Sequence, residues 1–263
     1  MKTVEILKSL AYEGRNSAID LVRRRFDVTL PPSLTQLEHN IVSKGYAIVP
    51  DFMSPQECET IRSRLDEVIN NNQKIWRDAQ GSDHRIYFAN KASPEVNGFF
   101  HNKTVTNVLS AYEKTNRYTG FTLANKLVFK QNNVGSGGGW HRDLVKRKQT
   151  KALLYLCDVT EQTGPFQFIT GTHRFSNLIR FQREFGFRYS QSRFTGDEIK
   201  EVIRKYPELL FTVTGSVGTL ILVDTRGIHR GKPIEAGTRY ALTNYYWFNS
   251  AIPSHIRKLD PFL

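Results

Sequence analysis

His141-Arg142-Asp143, followed far downstream by His229 and then Arg239, holds the side chains of this chain best suited to chemistry. Residues two apart on an extended strand point to the same side, so one imidazole and one carboxylate can grip a metal ion together, with a remote histidine as third ligand. Two histidines and one carboxylate on one face of a metal leave the opposite face open, which is the arrangement of non-haem Fe(II) oxygenases. The tripeptide alone is weak, because among 263 residues with 7 histidines an accidental His-x-Asp turns up in about a quarter to a third of such chains. Context strengthens it. His141 follows a glycine-rich turn and precedes a strong strand, His229 follows a strand ending Leu222-Val223-Asp224, and Arg239 opens the next strand. A guanidinium fork pairs bidentately with a carboxylate, and an Fe(II) oxygenase that uses 2-oxoglutarate must hold the distal carboxylate of that cosubstrate at the inner wall of its barrel. The plainer reading of Arg239 is a surface residue pairing with Glu235.

The elements that must position these groups fall into two blocks. Apolar residues recur at helical spacing over residues 1 to 30, then Pro31-Pro32 breaks the pattern. Ser33 opens a helix with the stripe Leu34, Leu37, Ile41 and Val42, closed by Gly45, and the strand Tyr46 to Val49 follows. Ser54-Pro55-Gln56-Glu57 is a capping box, and Cys58, Ile61, Leu65, Val68 and Ile69 recur at steps of three and four behind it. A short helix is expected around Val105 to Tyr112. From Arg117 the character is β, with strands expected at Leu127 to Phe129, Ala152 to Cys157, Phe211 to Val213, Gly218 to Val223 and Tyr240 to Phe248. Helices first and strands second predict a mainly β fold, a double-stranded β-helix or jelly roll of cupin type with bracing helices largely from the N-terminal part. Two regions are expected: an N-terminal helical extension, 1–32, and one domain, 33–263.

Only Cys58 and Cys157 are present, too few and too far apart for a disulfide framework or a thiolate zinc site, which fits a reducing cytoplasm. Charges interrupt the start of the chain where a signal peptide needs an apolar run, and no segment has the length of a membrane span. A formal net charge of +12 draws anionic partners, whether nucleic acid, an acidic membrane surface or an anionic small molecule. Peripheral membrane contact through the N-terminal helix is one expectation, and packing of that helix on the domain is the commoner fate. The run Gly135-Ser136-Gly137-Gly138-Gly139 lacks the Gly-Lys-Ser/Thr ending and following helix of a phosphate loop. It reads as a hairpin connection into the first metal ligand.

Several segments taken in order resemble the phytanoyl-CoA dioxygenase family from about residue 34 to 250: Gly45-Tyr46-Ala47-Ile48-Val49-Pro50-Asp51-Phe52, His141-Arg142-Asp143, Thr163-Gly164-Pro165-Phe166 with Thr170-Gly171-Thr172-His173, Asp224-Thr225-Arg226-Gly227-Ile228-His229-Arg230-Gly231, and Arg239-Tyr240-Ala241-Leu242-Thr243. The resemblance implies Fe(II) held by His141, Asp143 and His229, and 2-oxoglutarate on the metal with its far carboxylate at Arg239. Dioxygen completes the reactants, and the products are succinate, carbon dioxide and a hydroxylated substrate. It also implies that Lys126 and Tyr155 line the cosubstrate pocket. Halogenating relatives have glycine or alanine at the position of Asp143, so the carboxylate points to hydroxylation. Family members often carry serine or threonine two residues after the distal histidine, where this chain has Gly231.

Between His173 and the strand at Phe211 lies an insertion, 174–210, in which arginines and aromatics interleave. Connections of this length are frequently lids or binding loops. The expectation is a lid over the barrel mouth, with Arg180, Arg183 and Lys146 holding a small anionic substrate such as an acyl-CoA, a sugar phosphate or a lipid head group; the alternative is amphipathic packing on the barrel exterior. The competing function is a non-catalytic basic protein that binds nucleic acid or anionic membrane. No nucleic-acid module is recognisable, and nucleic acid is not the expected partner.

Overall fold

The computed structural model describes residues 2–23, 29–143, 149–248 and 250–263. Helix α1 spans Lys2–Arg23 and α2 spans Pro32–Lys44, which ends where Gly45 turns left-handed at φ 97° and donates to the Ile41 carbonyl. Strand β1 (Tyr46–Val49) leads to α3 (Pro55–Asn71), opened by the predicted reciprocal capping of Ser54 and Glu57. There follow β2 (Trp76–Arg77), β3 (Asp83–Ile86), α4 (Pro94–Phe100), α5 (Lys103–Glu113) and β4 (Tyr118–Val128). The second half runs β5 (Thr150–Tyr155), β6 (Phe166–Ile169), α6 (Phe175–Phe185), α7 (Gly196–Lys205), β7 (Leu210–Val213), β8 (Leu220–Asp224), β9 (His229–Gly231), β10 (Thr238–Phe248) and α8 (Ser254–Arg257).

The strands form two antiparallel sheets, a seven-stranded one ordered β1-β8-β5-β10-β4-β3-β2 and a three-stranded one ordered β7-β6-β9. This is the expected jelly-roll arrangement. Side-chain parity separates the two faces of β3, β4, β5, β8 and β10 in the larger sheet, while β1 runs in the opposite phase with Tyr46 opposite Val223. Even-numbered residues, among them Ala124, Leu154, Leu222 and Leu242, pack with Ile41, Ile61, Leu65, Val105 and Leu109 of the bracing helices. Odd-numbered residues, among them Tyr155, Ile221, Val223 and Ala241, pack toward Phe166, Phe168 and Val213 of the smaller sheet. Truncating a fully buried leucine such as Leu154 costs about 2–5 kcal/mol, because the site loses both transfer free energy and packing. The odd-numbered face is therefore the inside of the roll.

The insertion is helical and builds a core of its own. Phe181, Phe187, Phe194, Ile199 and Val202 bury together against Trp140, Ile169 and Ile228. Helix α1 touches this unit, with Ser9 Oγ donating to Gln182 Oε1 at 3.2 Å. Val4, Leu7 and Leu10 of α1 are exposed. Among the described residues no helix is long and apolar enough to cross a membrane. Both cysteines are free thiols.

Candidate metal centre

His141 leaves the glycine run and faces His229 on β9 across an isolated antiparallel bridge. Each amide donates to the other residue's carbonyl at 2.9 Å, and the Asp143 amide donates to the Thr225 carbonyl at 3.1 Å. Backbone pairing thus brings two segments far apart in the chain into register. His141 Nδ1 lies 2.8 Å from the Gly139 carbonyl and His229 Nδ1 lies 2.9 Å from the Gly227 carbonyl. A carbonyl only accepts, so each ring carries its proton on Nδ1 and presents an unprotonated Nε2. Both Nε2 atoms face one carboxylate, at 3.7 Å from Asp143 Oδ1 for His141 and 3.5 Å from Asp143 Oδ2 for His229. One donor atom from each of the three residues can be chosen so that all lie within 4.8 Å of one another. That spacing suits a single shared ion.

The electrostatics favour the ligand forms. Burial lowers the pKa of His141 and, with the neighbouring His141, pushes that of His229 down to about 3, so both rings are neutral near pH 7. Burial alone would raise the Asp143 carboxyl, but the Lys151 ammonium and then the two histidines hold it well below the usual carboxylate range. Gly137, at φ +90°, makes room for the first ring. A Cβ built there would stand 2.4 Å from His141 Cε1, closer than any real side chain allows. The glycine run serves the imidazole.

One cavity takes in His141 and His229 together with Lys151, Tyr245, Arg85, Asn125 and Arg239. Arg239 is buried, donates through Nη1 to the Gly164 carbonyl and reaches Asn125 Oδ1 through Nη2 at 3.4 Å, and its Nε has no partner. Glu235, the plainer sequence partner, pairs instead with Lys232 at 2.9 Å. A buried guanidinium with an unmet donor and no acid partner among the described residues fits an incoming carboxylate. The residues present therefore suit a divalent metal and an anionic cosubstrate. Gly231 has a reason as well, since a Cβ there would meet Ser136 at 3.0 Å. Ser136 lines the same cavity beside Gly231.

Other expected site residues lie elsewhere. Lys126 has even parity and so faces the helices, where its Nζ meets Asp66 Oδ1 at 2.7 Å; the expectation that it lines the cosubstrate pocket is corrected by the register. Tyr155 faces inward, but its hydroxyl donates to the Val213 carbonyl at 2.8 Å and accepts from the Phe166 amide at 2.9 Å, so it ties the two sheets together. Arg180 lies 4.8 Å from the Tyr206 ring centroid, Arg183 is exposed on α6, and neither lines the cavity. The insertion meets the centre through other residues: the Phe194 amide donates to the Trp140 carbonyl at 3.0 Å, and Arg193 donates to the Gly137 carbonyl. Lys146 falls outside the described residues. Sequence reasoning missed Lys151, Arg85, Asn125 and Tyr245; the inward parity of β4, β5 and β10 could have found all but Arg85.

A family model described as phytanoyl-CoA dioxygenase matches residues 41–239. No curated protein matches the sequence. Among solved structures, the non-haem α-ketoglutarate-dependent epimerase SnoN from nogalamycin biosynthesis is similar at a TM-score of 0.63 and 16% identity, covering 88% of this chain and 90% of its own. HygX from Streptomyces hygroscopicus, solved with nickel and 2-oxoglutarate bound, gives 0.58 and 14%, covering 87% and 94%. EctD from S. alaskensis, solved with 2-oxoglutarate and 5-hydroxyectoine, gives 0.63 and 16%, covering 81% and 75%. At these identities the likeness is one of fold.

Proposed function

The chain belongs to the phytanoyl-CoA dioxygenase family, and on that premise we propose that it is an Fe(II)- and 2-oxoglutarate-dependent oxygenase that hydroxylates a carbon of a small molecule. His141, Asp143 and His229 are the iron ligands in this reading. The observation that carries it is the convergence of two Nε2 atoms, each with its Nδ1 anchored to a carbonyl, on one carboxylate. Held there, iron and 2-oxoglutarate would supply, with dioxygen, the oxidising power to hydroxylate a substrate C–H bond, with 2-oxoglutarate converted to succinate and carbon dioxide.

The protein supplies position and exclusion of water. Arg239 takes the distal carboxylate of the cosubstrate, where burial strengthens the pairing and its unmet Nε finds an acceptor. Asp143 favours hydroxylation over halogenation because it fills the place a halide would need. Along the inner face of β10, Arg239 is followed by Tyr245 and Trp247, so the site has a cationic end and an aromatic end. Tyr87, Phe121, Tyr245 and Trp247 form a wall that, with Ile256 of α8, lines a second cavity reaching Asp143. The substrate body rests against this wall. Arg85, gripped by Asp83 at 2.6 Å and lining the first cavity beside Tyr245, would face an anionic group on it.

The reading of a non-catalytic basic protein has no comparable convergence behind it. The test is succinate formation from 2-oxoglutarate by iron-loaded protein, with and without a panel of small cyclic carboxylates and phosphates. Iron-dependent succinate that rises with one class supports the proposal. No succinate above the iron-free control across the panel, with no uncoupled turnover, counts against it.

A further inference from the structure

Lys151 lies on the inner face of β5, directly opposite Tyr245 of β10. Its side chain is only 7% exposed, and its ammonium sits 2.7 Å from Asp143 Oδ2 and 3.9 Å from the centroid of the Tyr245 ring. A buried ammonium is costly unless paired. Here a carboxylate and a ring face hold it from two sides. The ring is itself fixed, stacked on Phe121 at 5.2 Å with 3° between the planes. Lys151 therefore has one place to be, and that place is beside the carboxylate of the metal centre.

With Asp143 read as an iron ligand, as above, we propose that Lys151 is a positioning residue that holds Oδ2 so that the carboxylate meets the metal through Oδ1 alone. The two oxygens differ in what stands against them: Oδ1 faces His141 at 3.7 Å with no ammonium beside it, whereas Oδ2, 3.5 Å from His229, also carries the Lys151 ammonium at 2.7 Å. A carboxylate can chelate through both oxygens. If Asp143 did so, a fixed positive charge would stand against an oxygen already bonded to a divalent cation, and the Lys151–Oδ2 ion pair would be weakened. Coordination number gives this a consequence. Two histidines, one carboxylate oxygen and a bidentate keto acid fill five positions of a six-coordinate ion, and a second carboxylate oxygen would take the one the reaction must leave open. Lys151 thus protects the open position without touching the metal.

The experiment uses the full chain loaded with Co(II) in the absence of oxygen. A crystal structure should show Asp143 bound through one oxygen, with Lys151 still within hydrogen-bonding distance of the other. Lys151→Met should change the Co(II) absorption spectrum toward a different coordination number and weaken 2-oxoglutarate binding by about tenfold or more. Lys151→Arg, which keeps the charge, should restore both. A chelating Asp143 in the native crystal structure, or a Lys151→Met protein whose spectrum and 2-oxoglutarate affinity match the native ones, overturns the proposal. Because the crystal structure is of the native chain, a variant that fails to fold does not spare it. Co(II) binding that is unaffected by Asp143→Ala would instead overturn the ligand reading on which it depends.

Discussion

His141 and His229 exchange both of their backbone hydrogen bonds, each amide 2.9 Å from the other's carbonyl, and their ring centroids stand 4.2 Å apart. The spacing of the two imidazoles is thus set by main-chain pairing at an isolated bridge and not by side-chain packing alone. Fixing both Nδ1 atoms to carbonyls two residues upstream removes the remaining rotational freedom. The donors are in place before any ion arrives.

Gly137→Ala should disturb that preorganisation directly. A Cβ would stand 2.4 Å from His141 Cε1, and the φ of +90° disfavours alanine as well. The expected outcome is metal affinity lower by about 10–100-fold, measured by calorimetric titration with Mn(II), while the circular dichroism spectrum is kept. Gly139→Ala is a control for backbone strain, since φ is +85° there and nothing lies within 4 Å of its Cβ. It should weaken binding less.

Arg239→Gln should raise the Michaelis constant for 2-oxoglutarate by about 10–100-fold, the worth of a charge-assisted pair in a buried site. Mn(II) binding should be unchanged, because Arg239 touches none of the three ligands. Equal losses in both would mean that the variant disrupts the roll and not the anchor.

Arg180→Ala and Arg183→Ala should leave the Michaelis constant of the primary substrate unchanged, contrary to what a lid would require. Arg180 stacks over Tyr206 at 4.8 Å, so its loss should cost about 0.5–1 kcal/mol of stability, read from a urea midpoint. Trp247→Ala, on the aromatic wall, should raise that Michaelis constant by about five- to tenfold. A rise on mutating the arginines and none at Trp247 would move substrate binding to the insertion.

Acid should destabilise the metal-free protein through its buried imidazoles. Burial lowers the pKa values of His141, His173 and His229, so the unfolded chain, whose rings titrate near about pH 6.5, binds more protons than the fold below that pH. Stability therefore falls as pH drops. Asp143 and Asp224 are held below the usual carboxylate range, and their contribution is present above about pH 4 and lost only in stronger acid. Tm should be level from about pH 8 to 7 and decline from about 6.5 downward, with a shallower decline in His173→Gln. A Tm that rises between pH 7 and 5 would contradict this.

The chemistry was legible in the sequence where function restricts residue type. Histidine, aspartate and arginine in that order and context pointed to a cluster of three donors that the fold does bring together, and capping residues and apolar spacing led to α3 and α5. Facing was harder to read. The strand at β5 was expected from Ala152, which left Lys151 outside it, whereas the observed strand starts at Thr150 and turns Lys151 inward. Lys126 fell to the wrong side because family likeness, unlike register, does not say which face a residue occupies. Strands β2, β3 and β9, two to four residues long, are too short to display alternation and form through their partners. In the insertion, interleaved arginines and aromatics suit a lid as well as an amphipathic helix, and the sequence does not show that Phe181, Phe187 and Phe194 are buried together.

The most direct measurement of the central claim is the stoichiometry and affinity of anaerobic Fe(II) binding to the native chain and to His141→Ala, Asp143→Ala and His229→Ala, each checked for native circular dichroism. One ion per native chain, lost or weakened at least a hundredfold in every variant, is the predicted result. Native stoichiometry and affinity in any of the three would contradict it.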